Sequence, residues 1–319
     1  MPDPIQPVPL PDQNLKKDRE IAPSWFSKHS FGIFYVFLVL AVCAGLGWLG
    51  QHVARSIHSY FASQIRHNPD VSAAYRAIDH RAQLEAEELF KRLASGDEAA
   101  ADSILSLSDN WTGKIQSTSA TSQFLTSAIN SPNTHVREAA IQAELALEGI
   151  TRDEIGLKTL EGAVGDPRQR LWALWLLGAL GNRGVDPNHA AKIIESYLND
   201  PNANVRAVAV DGLSLVATDE TLPMLLDRFR NDPSSIVQER AACDMAQSGM
   251  YSHALRMRAA ESLVKWLDDP LLTGQQRTWT FQALHDITGA SLGSDSAAWR
   301  NWWSKNSVGR RERPSSKGG

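Results

Sequence analysis

Hydrophobic and polar positions along the 319-residue chain follow a pattern that restarts at regular intervals. Each restart opens on a small polar or acidic residue and a proline: Ser131-Pro132, Asp166-Pro167, Asp200-Pro201, Asp232-Pro233 and, in divergent form, Asp269-Pro270. The prolines stand 35, 34, 32 and 37 residues apart, the period of stacked helix pairs. Four residues after the first four prolines come Val136, Leu171, Val205 and Val237, and eight after them come Ala140, Trp175, Ala209 and Ala241. Apolar residues four apart share one face of a helix. Proline suits a first helical turn, where its missing N–H has no partner, and the Ser or Asp before it can cap that turn. A second amphipathic stretch precedes each copy, as at 189–199 and 220–230. The pattern predicts helix, turn, helix in every copy.

Position five after the prolines holds Arg137, Trp172, Arg206 and Gln238. The set Asp200, Pro201, Val205 and Arg206 resembles the HEAT and HEAT-like (PBS-lyase-type) repeat family, whose units carry an Asp-Pro-x-x-x-Val-Arg start on the second helix. Pro132, Val136 and Arg137 match nearly as well, whereas Trp172 and Gln238 depart from the Arg position and interrupt any continuous Arg ladder. The resemblance covers roughly residues 119–288. It implies an all-α, right-handed α-α solenoid of about five to six HEAT-like helix pairs, each burying its apolar face against its neighbours.

Outside the repeats the pattern changes. Residues 1–30 are polar and Pro-rich and read as a flexible N-terminal tail, because they bury too little apolar surface to offset their ordering entropy. Residues 31–50, FGIFYVFLVLAVCAGLGWLG, carry no charge, and twenty helical residues span about 30 Å, the thickness of a bilayer core. One uncleaved transmembrane anchor is expected here, with the lipid bilayer as a partner. Lys16, Lys17, Arg19 and Lys28 precede the run, and only Arg55 and Arg66 follow it closely. That bias places the N-terminus in the cytoplasm and the repeats on the non-cytoplasmic side of a plasma (bacterial inner) membrane. Gly45, Gly47 and Gly50 spell G-x-G-x-x-G, but inside one apolar stretch rather than between a strand and a helix, so no dinucleotide site follows.

Residues 51–118 read as membrane-proximal helices or an atypical first repeat, with Ala82, Ala86, Leu89, Phe90 and Leu93 on one face and 109–120 as a loop. The repeat solenoid with its terminal cap is expected over 119–304. Within it LWALWLLGAL, residues 171–180, is apolar all round and predicts a helix buried on every side. At the far end Ser294 or Asp295 can start a short capping helix whose Trp299, Trp302 and Trp303 cover the core of the last repeat. Residues 305–319 read as a disordered basic tail.

Composition excludes more functions than it suggests. A net charge of −4 and a pI near 6.1 give no pull towards nucleic acid. Cys43 and Cys243 sit in different environments and build no disulfide framework. None of the nine His is followed by Glu; the deoxyhypusine hydroxylases, which resemble this fold, bind iron through His-Glu pairs that this chain lacks. There is no G-x-S-x-G, Walker loop or C-x-x-C, and no cofactor or metal is expected.

The expected function is a membrane-anchored helical-repeat scaffold that binds a protein or peptide partner and has no catalysis of its own. The alternative is an enzyme or cofactor-binding protein with a site in the concave groove, on the pattern of the phycobilin lyases, which also resemble HEAT-like repeats. In such solenoids the second helix of each repeat lines the concave side. Its positions five, six and ten after proline supply the candidate partner contacts: Arg137, Glu138 and Gln142, then Arg206 and Asp211, then Glu239. Their mixed charge suits a polar peptide or protein surface rather than a nucleic acid.

Overall fold

The computed structural model describes residues 69–311, which form thirteen α-helices with no strand among them. The chain divides into units 1–74 and 75–319, and the second carries the helical stack. Six pairs run in order: α1 (Pro69–Ala94) with α2 (Glu98–Trp111), α3 (Ser119–Ile129) with α4 (Thr134–Leu147), α5 (Glu154–Val164) with α6 (Arg170–Asn182), α7 (Pro187–Glu195) with α8 (Ala203–Val216), α9 (Thr221–Asn231) with α10 (Ser235–Cys243), and α11 (His253–Trp266) with α12 (Gly274–Thr288); α13 (Ser296–Arg311) follows. The second helices pack in sequence, α2 on α4 and so on to α10 on α12, while α3, α5, α7, α9 and α11 each lie against their own second helix. α13 packs on α11 as a terminal cap. This is an all-α solenoid of HEAT-like form.

The recurring turn has a simple cause. In all five copies the residue before proline accepts the backbone N–H two residues on. Ser131 Oγ accepts from Asn133 at 3.2 Å, Asp166 Oδ1 from Arg168 at 3.0 Å and Asp200 Oδ1 from Asn202 at 2.8 Å. Asp232 Oδ1 accepts from Ser234 and Asp269 Oδ1 from Leu271, both at 2.9 Å. Short acidic and hydroxyl side chains fold such turns, and proline presets their backbone. The cap then passes to the residue after proline, with Asn133 and Asn202 holding the starts of α4 and α8. Proline therefore stands just outside the helix rather than in its first turn.

One copy slips. α6 starts three residues after Pro167, whereas α4, α8 and α10 start two residues after their prolines. One residue is a rotation of about 100°, so Leu171 is 42% exposed while its counterparts Val136, Val205 and Val237 are buried. Trp172 and Trp175 are half-buried, so α6 is not enclosed on every side. Its inner face meets α8 where Gly178 opposes Gly212; a Cβ on Gly178 would stand 2.3 Å from Gly212 O. The segment expected as a loop at 109–120 is also shorter, because α2 runs on to Trp111, which is buried edge-on against Phe90 at 5.8 Å.

The apolar interior forms two clusters. One joins Phe90, Ile104, Trp111, Leu125 and Val136 in the first two pairs. The other runs from Ile141 and Leu145 of α4 to Trp299 of α13. Acidic turn residues tie neighbouring pairs together as well. Arg206 Nε and Nη2 each donate to Asp232 of the next copy at 2.9 Å, and its Nη1 donates to Asp200 O at 2.8 Å. Arg170 reaches Asp200 at 3.6 Å, and Arg230 pairs with Asp269.

The membrane reading is corrected. No helix among the described residues is long and apolar enough to cross a membrane. The most apolar helix, α6, has 13 residues and is about 20 Å long, short of a bilayer core. The longest, α1, has 26 residues but carries charged residues such as Asp79, Arg81, Glu87 and Lys91. Residues 31–50 lie outside the described residues, as do the Pro-rich tail and the end of the basic tail. The transmembrane helix, the bilayer as a partner, the single-pass topology and the plasma-membrane localisation are therefore withdrawn, and the fold class is the solenoid alone.

Candidate functional site

A cleft of about 980 Å³ lies between repeats that are not neighbours. One wall is the start of α4 with the turn before it, including Ser131, Thr134, Arg137 and Glu138. The other comes from the end of α10, the start of α11 and Asp286 of α12. At its centre α10 loosens into a π turn over Asp244–Ser248, closed by Gly249 N donating to Asp244 O at 3.1 Å. A Cβ at Gly249 would lie 2.6 Å from Asp244 O and 3.0 Å from Ser214 Cβ, so only glycine fits this exit. Such wide turns in helices are frequent at functional sites.

Two guanidinium groups meet the carbonyls of that turn. Arg256 donates from Nε to Tyr251 O at 3.0 Å, from Nη2 to Gly249 O at 2.7 Å and to Gln247 O at 3.0 Å, and from Nη1 to Ala246 O. From the opposite wall Arg137 donates Nη1 to Gln247 O and, at 3.5 Å, to Ser248 O. Arg137 is only 5% exposed, and its Nε is buried with no hydrogen-bond partner. Burial lowers the pKa of both, and the neighbouring Arg137 charge helps bring Arg256 down to about 10. Neither has a carboxylate at ion-pair distance among the described residues. Glu138 lies 3.9 Å from His135 and 4.0 Å from Arg183, and Asp286 accepts from Gln282 and Gln247.

The six candidate contacts separate. Only Arg137 and Glu138 line the cleft. Gln142 is buried between helices, donating to Leu105 O at 2.9 Å and Ser108 Oγ at 2.6 Å and accepting from Arg183 Nε at 3.1 Å. Arg206 is held by Asp232, and Glu239 is exposed on α10. Asp211 faces Asp244, which is 3% exposed and has a buried carboxylate oxygen with no hydrogen-bond partner. Burial, then the facing Asp211 carboxylate, pushes the Asp244 pKa far up. Asp211 keeps Arg240 at 3.2 Å. Among the described residues no group of three or more His, Cys, Asp and Glu is placed to hold a metal.

Sequence reasoning missed Arg256, Gln247 and Asp286. They lie past the end of the fifth pair's second helix and in the sixth pair, beyond the last regular Asp-Pro copy, where positional alignment gives no guide. A signal was present in Gly249, a lone glycine close behind an otherwise regular helix.

Residues 157–246 match the family model described as HEAT repeats. That match runs from α5 to the π turn and includes the Arg206–Asp232 link between successive copies. A HEAT-repeat domain occupies this stretch. No curated protein matches the chain. A crystal structure of an engineered protein is similar at 16% identity, with 64% of this chain and 96% of that one covered and a TM-score of 0.33. The cleft thus joins the π turn at the end of the matched HEAT repeats to α4, which precedes them.

Proposed function

We propose that the protein is a helical-repeat scaffold that holds a protein or peptide partner in the cleft between α4 and the π turn, without chemistry of its own. The observation that carries this reading is the cleft itself, an open polar space of about 980 Å³ whose walls come from non-adjacent repeats and carry both charge signs. Mixed charge with hydroxyls suits a polypeptide, whose side chains and amides supply both donors and acceptors. The HEAT-repeat match supports the same reading, since stacked repeats present extended binding surfaces. The enzyme alternative draws on Asp211 and Asp244, but Asp244 is buried and neither carboxylate lines the cleft. A general acid or base must reach its substrate.

A photo-crosslinking amino acid at Thr134 and, separately, at Ser252 tests this, because both are exposed on the cleft rim. Both positions are expected to trap one shared protein, and the same group at exposed Lys158 on α5 is not. Identical adducts from all three positions, or none from the rim, would refute the reading.

A further inference from the structure

We propose that the cleft is an acid-recognition site, taking an Asp or Glu carboxylate of the partner beside Arg137 and Arg256. This rests on the cleft being the partner site and adds the chemistry it selects.

The repeat motif shows what is missing. Arg206 stands fourth in α8 and closes on Asp232 of the next copy. Arg137 stands fourth in α4, the same place, and the described residues offer it no carboxylate. Its hydrogen bonds all run from Nη1 to carbonyl oxygens, while Nε is buried and unpartnered. Arg256 on the opposite wall is also bonded only to carbonyls. Carbonyl ends carry partial charges and cannot cancel two whole ones. α4 and α11 both begin at the cleft wall, so the positive ends of two helix dipoles strengthen the same field.

A carboxylate supplies the counter-charge these groups lack, and a guanidinium binds carboxylate through paired N–H donors more strongly than it binds a neutral carbonyl. Glu138 and Asp286 limit how much negative charge can enter. They admit an acidic side chain flanked by neutral ones and repel a dense polyanion such as nucleic acid. The net charge of −4 acts against general capture of acids, so the attraction must be local.

The test uses the full chain and two fluorescein-labelled dodecapeptides, alternating Glu-Ala and alternating Gln-Ala, read by fluorescence anisotropy. The Glu peptide is expected to bind at least about tenfold more tightly than the Gln peptide. Thr134→Glu with His253→Glu places two acids at the exposed first residues of α4 and α11, where they also favour the helices, so the variant should melt like the parent. It should weaken the Glu peptide about tenfold, while Lys158→Glu on α5 changes it less than about twofold. Equal affinity for the two peptides, or equal weakening by Lys158→Glu and the rim pair, overturns acid recognition. Rim crosslinks that persist while the Glu peptide fails to bind would leave the scaffold reading standing and remove this one; loss of the crosslinks would remove both.

Discussion

A carboxylic acid that burial keeps protonated reverses the usual response of stability to pH, and Glu144 is such a group. It lies half-buried on α4, and burial followed by the nearby Glu148 charge brings its pKa up to about 7. The unfolded value is about 4.3, so the folded pKa is the higher one. The stability contributed by the neutral form is then fully present below the unfolded pKa and is lost as pH rises through about 7. Asp211 and Asp244 have the same sign, because burial raises both pKa values. Glu144→Gln should therefore leave the melting temperature nearly unchanged at about pH 4, below the unfolded pKa, and raise stability by about 1–2 kcal/mol at about pH 8. Calorimetry at the two pH values checks it, and an equal shift at both would show that Glu144 is not protonated in the fold.

At the scale of elements, Asp200, Asp232 and Asp269 each fold their own Asp-Pro turn and also receive an Arg from the preceding pair, whereas Asp166 pairs with Arg168 of its own turn. Asp232 does both: it accepts from Ser234 N and holds Arg206 through two bonds, with its side chain wholly buried. Removing Arg206 leaves a buried acid that only Arg228, at 3.7 Å, still offsets. Arg206→Ala should cost about 3 kcal/mol. In a double-mutant cycle with Asp232→Asn, the second change should then cost far less than it does alone. Additive losses in chemical denaturation would show that the pair does not couple the repeats. The positions of these residues were legible in the sequence, since Asp-Pro and the apolar residues four and eight places on recur together. Their partnership was not. Arg206 and Asp232 are 26 residues apart and meet only because the pairs stack, so spacing alone assigned the Asp to a cap and the Arg to the groove. The slip in α6 was hidden for a similar reason: the extra residue sits in the turn after Pro167, and Leu171 and Trp175 are apolar in either phase.

At the scale of the whole stack, a solenoid is close to one-dimensional, with each repeat touching its neighbours. Arg137 departs from that rule, since it bonds Gln247 across 110 residues of chain. The cleft it spans depends on small rotations summed over the intervening pairs, which no single repeat encodes, and for that reason the sequence offered one wall and not the other. The far end keeps to the rule. Trp299 of α13 is 1% exposed, belongs to the long core, and donates Nε1 to Gly293 O at 2.9 Å; Trp302 and Trp303 are half-buried beside it. Of the three tryptophans Trp299 carries the packing, so Trp299→Ala should cost about 3–5 kcal/mol, in the range of large aromatic truncations. Hydrogen exchange should localise the loss. Amides of α11, α12 and α13 should exchange faster, while those of α1 and α2, which belong to the separate cluster around Phe90 and Trp111, keep their protection. Trp302→Ala, at a half-buried site, should produce a weaker version of the same pattern. Uniform loss of protection from α2 to α13 would mean that the two clusters open as one, and that the Arg137 crossing makes the stack a single cooperative body.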